Sequence, residues 1–263
     1  MPMNSGYKRG KGAAALDGEN VKIKVEGLTK DFGDLRVLDN ISFDVKKGEF
    51  VCIVGPTGCG KTTFLNILSK IWDATSGRLL IDGEEADPKK HNIAFAFQES
   101  SAFPWLTVEQ NIRFGMEQKH LPKNVIDERT EQMLELLGLA GVRNYLPKQI
   151  SASMESRVVI GRSFAIHPDL LIMDEPYAQL DIQLRYHLED AVLKLSKATE
   201  STVIFVTHNI EEAVYLAERC VVLTNKPTKV KTIENIGLPY PRDICSREFI
   251  DIRDRITNYI KWW

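Results

Sequence analysis

The chain has 263 residues, 43% of them hydrophobic and 27% charged, with 34 basic against 36 acidic side chains. That balance argues against a general nucleic-acid binder, which would show a strong basic excess, and no apolar run approaches the ~18 residues of a bilayer-crossing helix. The length suits one large core or a core with a subdomain. The four cysteines (Cys52, Cys59, Cys220, Cys245) lack CxxC or Cys/His spacing and fit a reduced cytosolic protein.

Residues 1–20 read as a flexible tail without the apolar stretch of a secretory leader. Lys8, Arg9 and Lys11 in it can touch an anionic membrane surface, but a solvated tail is the simpler reading. VKIKV at 21–25 and ISFDV at 41–45 alternate as half-buried strands do, and a Lys-Lys-Gly turn ends the second. FVCIV at 50–54 is apolar throughout, as a strand buried on both faces requires. A glycine-rich loop follows, then a helix over 61–71 with Phe64, Leu68 and Ile71 at helical spacing. Strands are expected at 77–83 and 93–97. From 99 to 157 strand signals fade, and Ile126, Met133, Leu134 and Leu137 share one helical face, which predicts a helical insertion. Strands return at 170–173, 203–206 and 221–223. Between them Leu184, Leu188, Ala191, Val192 and Leu195 form a helical stripe, and 247–261 reads as a final helix. Strand–helix alternation of this kind predicts an α/β fold with a mostly parallel sheet.

GPTGCGKT at 55–62 fits the phosphate-loop pattern, with a buried strand before it and a helix after it. Gly55, Gly58 and Gly60 let the backbone of this loop, which also holds Pro56, Thr57 and Cys59 as ATP-binding candidates, curl so that its N–H groups point inward at phosphates. Lys61 is expected at the β and γ phosphates, Thr62 on Mg²⁺ and Thr63 near the α phosphate. The loop alone does not separate transporters, kinases, GTPases and motors.

LLIMDEP at 170–176 narrows the choice. Its apolar run delivers Asp174, which can hold Mg²⁺ through water, and Glu175, which can polarise an attacking water. Two solvated acids at a strand end are the plain alternative. His208 ends another strand and can hydrogen-bond a γ-phosphate; a lone histidine there is more often structural, but the two companion motifs reverse that preference.

From about residue 21 onward the order of these elements resembles the nucleotide-binding subunit of an ABC transporter. GPTGCGKTT matches its Walker A motif, LLIMDE its Walker B motif and His208 its switch histidine. Gln98, in AFAFQES, matches the glutamine that joins the Mg²⁺ shell, and Phe32, in TKDFG, the aromatic that stacks on adenine. AFPWLTVEQNI, IHPDLLIMDEP and THNIEEAVYLAERCVVL resemble the importers of nitrate, sulfonates, taurine and bicarbonate. The resemblance implies a P-loop NTPase core (21–98 and 158–263) with an N-terminal antiparallel β part and a helical subdomain (99–157). It implies ATP and Mg²⁺ as cofactors, no nucleic acid, and a peripheral place on the cytoplasmic face of the inner membrane. It also implies a separate transmembrane permease, a second ATPase subunit and, indirectly, a substrate-binding protein.

One segment departs from the family. Its signature reads LSGG followed by Gln or Met and reaches across a dimer to the partner's γ-phosphate; this chain has Ile150, Ser151, Ala152, Ser153 and Met154. A β-carbon at a closely packed or strained position costs about 1–3 kcal/mol. The loop at 178–181 keeps Leu180 and Asp181 but carries Gln179 where the family usually has alanine. Groups acting on this chain's own nucleotide are thus intact, and groups offered to a partner's are altered. A heterodimer with a sibling ATPase and a homodimer that tolerates Ala152 and Ser153 both fit. The expected function is ATP hydrolysis driving import of a small anion; a regulatory subunit with little hydrolysis of its own is the alternative.

Overall fold

In the computed structural model, residues 20–88, 90–97, 101–177, 180 and 182–260 are described. The expected tail, apart from Asn20, lies outside them, as do Gln98, Gln179 and Asp181.

The first two strand predictions understate their elements. β1 (Val21–Phe32) and β2 (Leu35–Lys46) run 12 residues each and pair antiparallel, with register shifts around Gly27, whose φ is +58°. The shifts let the alternation expected at 21–25 resume further along the strand. β3 (Phe50–Val54) leaves this hairpin for the second sheet, and α1 (Lys61–Leu68) follows it. β4 (Ser76–Ile81) returns to pair antiparallel with β1, and β5 (Glu84–Glu85) lies on its outer edge. The resulting sheet has the order β2-β1-β4-β5.

The second sheet adds β6 (Ile93–Ala96), β7 (Leu170–Asp174), β8 (Thr202–Val206), β9 (Arg219–Leu223) and β10 (Val230–Asn235), in the order β10-β9-β3-β8-β7-β6. All neighbours are parallel except β10, which runs antiparallel to β9. Every residue of β3, β7 and β8 is buried, as their uninterrupted apolar runs predict for a sheet covered on both faces. On one face Val51, Ile53, Ile172 and Ile204 pack with α1 and the β1–β2 hairpin; on the other Cys52, Leu171, Met173 and Phe205 pack with the remaining helices.

Those helices are α2 (Val108–Gln118), α3 (Lys123–Leu136), α4 (Ala152–Ala165), α5 (Ile182–Ala198), α6 (Ile210–Leu216) and α7 (Arg247–Ile260). α2 starts at a reciprocal cap: Thr107 accepts from Gln110 N, and the Gln110 side chain returns to Thr107 N. α4 runs unbroken through residue 157, so the subdomain boundary drawn there from sequence falls inside one helix, whose later half buries Val158, Val159, Ile160 and Phe164. α6 is held at both ends. Asn209 caps its start, and Arg242 NH1 donates to the carbonyls of Val214, Tyr215 and Ala217 at its end, which absorbs carbonyls the helix leaves open.

Between α5 and α6 lies a buried carboxyl. Glu189 is 1% exposed, and burial, followed by the charge of Glu212, pushes its carboxyl up to about 8. Between its ordinary value of 4.5 and about 8 the unfolded chain therefore releases a proton that the folded chain keeps. Stability contributed by this group falls as pH rises through that window. Glu189→Gln should remove the dependence. Urea unfolding at pH 5 and pH 8.5 should show the wild type losing stability relative to the variant, by on the order of a few kcal/mol.

Candidate nucleotide site

β8 lies between β3 and β7, and its register sets Val206 opposite both Ile53 and Asp174. The carboxyl ends of three adjacent strands therefore stop level with one another. From them issue the 55–63 loop, His208 and the Asp174–Glu175 pair, at the end of the sheet where ligands of open α/β folds bind.

The loop is shaped by contacts that leave no room for side chains. A β-carbon on Gly60 would sit 2.9 Å from Val37 Cγ1, and Gly60 has φ +119°, a backbone region that L side chains rarely adopt. Thr228, fully buried in a different loop, donates its hydroxyl to the Cys59 carbonyl and its N–H to Val37 O at 2.9 Å. The loop is thus pinned to both the β2 strand and the segment after β9.

Lys61 is buried, and its Nζ donates to Gly55 O at 2.9 Å and Pro56 O at 3.1 Å. Among the described residues it has no carboxylate within 4.0 Å. An ammonium held by carbonyl dipoles without a counter-ion is prepared for an anion. Around it a cavity of about 520 Å³ is lined by Thr57, Gly58, Gly60, Lys61, Thr62, Thr63, Glu175, His208 and Lys226.

Thr62 Oγ1 donates to Asp174 Oδ2 at 3.1 Å. Burial raises the Asp174 carboxyl above its ordinary range, and Glu175 pushes the same way, while the Thr62 hydrogen bond and Lys61 oppose them. A hydroxyl and a buried carboxylate at this spacing form a hard-oxygen pair that suits Mg²⁺. Glu175 has φ +46°, uncommon for a residue with a side chain, and its N–H donates to Val206 O at 2.9 Å. This tie to β8 turns its carboxylate toward His208, with Oε2 3.0 Å from Nδ1. The His208 side chain is 61% exposed, against 17% for Glu175.

The structure thus gathers Thr57, Gly58, Gly60, Lys61, Thr62, Thr63, Glu175 and His208 around one cavity, with Asp174 directly behind Thr62. Gly55, Pro56 and Cys59 form the loop beneath it. Phe32 is placed apart. It ends β1, 43% exposed, with its ring edge-on to Trp72 at a centroid distance of 5.4 Å, and it is not among the residues lining the cavity. Ser151, Ala152, Ser153 and Met154 also lie away from that lining. Ser151 caps α4, its Oγ accepting from Met154 N at 3.2 Å. Gln98 and Asp181 fall outside the described residues. Two contributors had no sequence signal: Lys226, which lines the cavity, and Thr228, which braces the loop. Both sit in a polar stretch, TNKPTK at 224–229, that reads like any surface loop.

Comparison with known proteins agrees with this geometry. The sequence profile of the family described as ABC transporter matches residues 38–178. An uncharacterised ABC transporter ATP-binding protein of Methanocaldococcus jannaschii is 42% identical over 249 residues, covering 93% of each chain. An aliphatic sulfonates import ATP-binding protein of Bacillus cereus is 39% identical over 236 residues, covering 89% of this chain and 92% of that one. Among solved structures, an ATP-binding cassette captured as a dimer in a post-hydrolysis state with ADP and Pi is 28% identical. It superposes with a TM-score of 0.73 and covers 82% of this chain and 100% of that one. The chain belongs to the ABC transporter family, as an ATP-binding and ATP-hydrolysing cassette subunit.

Proposed function

We propose that this cassette hydrolyses Mg²⁺-bound ATP between two ATPase subunits and thereby drives a separate permease that imports a small anion, of the sulfonate, nitrate or bicarbonate type. The observation that carries the reading is the Glu175–His208 pair, 3.0 Å apart and facing Lys61 across one cavity. The loop N–H groups and Lys61 grip the phosphates, and Thr62 and Asp174 hold the cation. Mg²⁺, when bound, neutralises charge shared by the β and γ phosphates. Glu175 takes a hydrogen bond from the attacking water and withdraws its proton as the water oxygen bonds to the γ-phosphorus and the bond from that phosphorus to the β–γ bridging oxygen breaks, releasing ADP and phosphate. With Nδ1 turned to Glu175, the His208 ring presents Nε2 to the γ-phosphate. Phe32 supplies a face for the adenine, and Gln98 joins the metal shell.

Support for the permease comes from a fixed aromatic surface. Trp105 is 71% exposed and stacks on Phe103 at 5.5 Å. Buried Asn111 grips the loop behind it, accepting from Phe103 N at 2.7 Å and donating to the carbonyls of Phe103, Leu106 and Thr107. A large exposed ring on a rigid loop is the form of a docking surface. Among the described residues no helix is long and apolar enough to cross a membrane; in this reading the permease holds the cassette at the cytoplasmic face. The substrate class rests on the relatives named for sulfonate import.

The second ATPase subunit is either a copy or a sibling. Ala152 and Ser153, where the family has glycines, favour a sibling that supplies a normal signature to this chain's nucleotide. Ser151 to Met154 and Asp181 would then serve the partner's.

Three outcomes test this reading. Gly60→Ala adds a β-carbon against Val37 in a conformation alanine avoids, and should weaken ATP binding at least about tenfold in a titration with labelled nucleotide. Glu175→Gln should keep ATP binding and lower phosphate release by a factor of about a hundred or more; unchanged release removes Glu175 from its role. Native purification should yield a permease and two kinds of ATPase chain. One ATPase chain type with fast turnover at both sites decides for the homodimer.

A further inference from the structure

His208 stands at a strand end with its ring largely in solvent, so its position is set by its backbone flanks. Both flanks hang from one carboxylate. Glu212, on the first turn of α6, points back into the protein and is buried. Thr207 Oγ1 donates to Glu212 Oε2 at 2.6 Å and accepts from Asn209 N at 3.0 Å. Asn209 Nδ2 donates to Glu212 Oε1 at 3.2 Å, and the same oxygen faces Arg185 NH1 of α5 at 3.3 Å. The Asn209 side-chain oxygen Oδ1 is occupied as the cap of α6, accepting from Glu211 N at 2.9 Å. Residues 207 and 209 are therefore locked to each other, to α6 and to α5, with His208 between them.

A neutral side chain would suffice to cap a short helix, whereas a buried carboxylate must recover the cost of leaving water. Here it does so with three donors, two of them the neighbours of His208. We propose that Glu212 is a positioning residue for His208: its carboxylate fixes residues 207–209 and so holds the ring where it meets Glu175 and the phosphate. The inference rests on the reading of His208 as a phosphate-facing group. Glutamine at 212 keeps the shape but makes one end an NH₂: turned to Asn209 Nδ2 and Arg185 it meets only donors, and turned to Thr207 it can donate to Oγ1 only if the hydroxyl gives up its own donation to residue 212.

The test measures phosphate release and ATP affinity of the full chain with Mg²⁺, for Glu212→Gln, Thr207→Val and His208→Ala, singly and combined. Misplacing the ring should lower kcat about tenfold in Glu212→Gln and Thr207→Val, while ATP affinity stays within about twofold. Adding Glu212→Gln to His208→Ala should leave the residual turnover unchanged, because there is no ring left to position. The inference is overturned if both single variants turn over at the wild-type rate, if affinity falls in step with kcat, or if Glu212→Gln slows His208→Ala by its full factor. Should Glu212→Gln fail to fold, Thr207→Val carries the same comparison with the carboxylate retained. Wild-type turnover in His208→Ala would instead remove the reading on which the inference rests, whereas a slow His208→Ala beside normal turnover in both Glu212→Gln and Thr207→Val removes the inference alone.

Discussion

The β8 ladder places Ile53, Val206 and Asp174 side by side, and from that alignment the chemistry of this cassette follows. Three chain segments widely separated in sequence emerge at one level because their strands share a register. A slip by one residue would turn every side chain of a strand to the opposite face. For β3, β7 and β8 that slip would exchange the residues facing α1 with those facing the outer helices, two populations already packed in different clusters. Core packing on both faces thus fixes the position of Glu175 relative to Lys61.

Charge at the site is arranged to be incomplete. Lys61 rests on carbonyl oxygens, Asp174 is buried beside Glu175 and satisfied in part by Thr62, and His208 shares a hydrogen bond with Glu175. Each is more favourable with an added ion of opposite sign: an anion for Lys61 and the loop amides, a cation for Asp174. In the proposed function metal-bound nucleotide would supply both at once, and its binding would relieve two desolvated charges that the fold itself leaves without full compensation. The strained backbone at Glu175 belongs to the same economy of placement, because its N–H bond to Val206 fixes where the carboxylate points.

The parts of this design that sequence reveals are those with a local cause. FVCIV, LLIM and the run at 203–206 are apolar without break, and each lies in a buried parallel strand; the glycine loop after the first needs only its own spacing to be recognised. β10 escaped because Val230–Asn235 alternates irregularly and is half exposed on a sheet edge. α2 carried a legible start in Thr107 and Gln110, a capping box that the fading strand signal overshadowed. Thr228 could not be read at all, since its partner Cys59 is 169 residues away and nothing in TNKPTK marks it. Phe32 is legible only through motif order: its ring, 43% exposed and edge-on to Trp72, lies outside the lining of the phosphate cavity, and no local pattern in TKDFG marks it. The break drawn at residue 157 fails to appear as a boundary of α4 because one helix serves both regions, packing on α2 and α3 and also on β6.

The altered signature acquires a physical meaning at the start of α4. Ser151 spends an acceptor site on the N–H of Met154, as an ordinary cap does, so the helix start is stable without any ligand. The partial positive charge of that helix end is unaffected by the exchange of two glycines for Ala152 and Ser153. What the exchange alters is approach: a β-carbon at each position stands between the helix start and any oxygen that would lie against its backbone. In the proposed dimer the neighbour's γ-phosphate would therefore keep its electrostatic attraction to α4 and lose close contact with it. Attraction without contact favours holding a triphosphate over splitting it, because hydrolysis depends on groups placed against the charge that develops in the transition state. In the proposed dimer this chain's own cavity has the complementary state, with Lys61, Thr62, Asp174, Glu175 and His208 gathered at it and the signature contact left to the partner. The two composite sites of a heterodimer would then differ in turnover for a reason confined to two side chains.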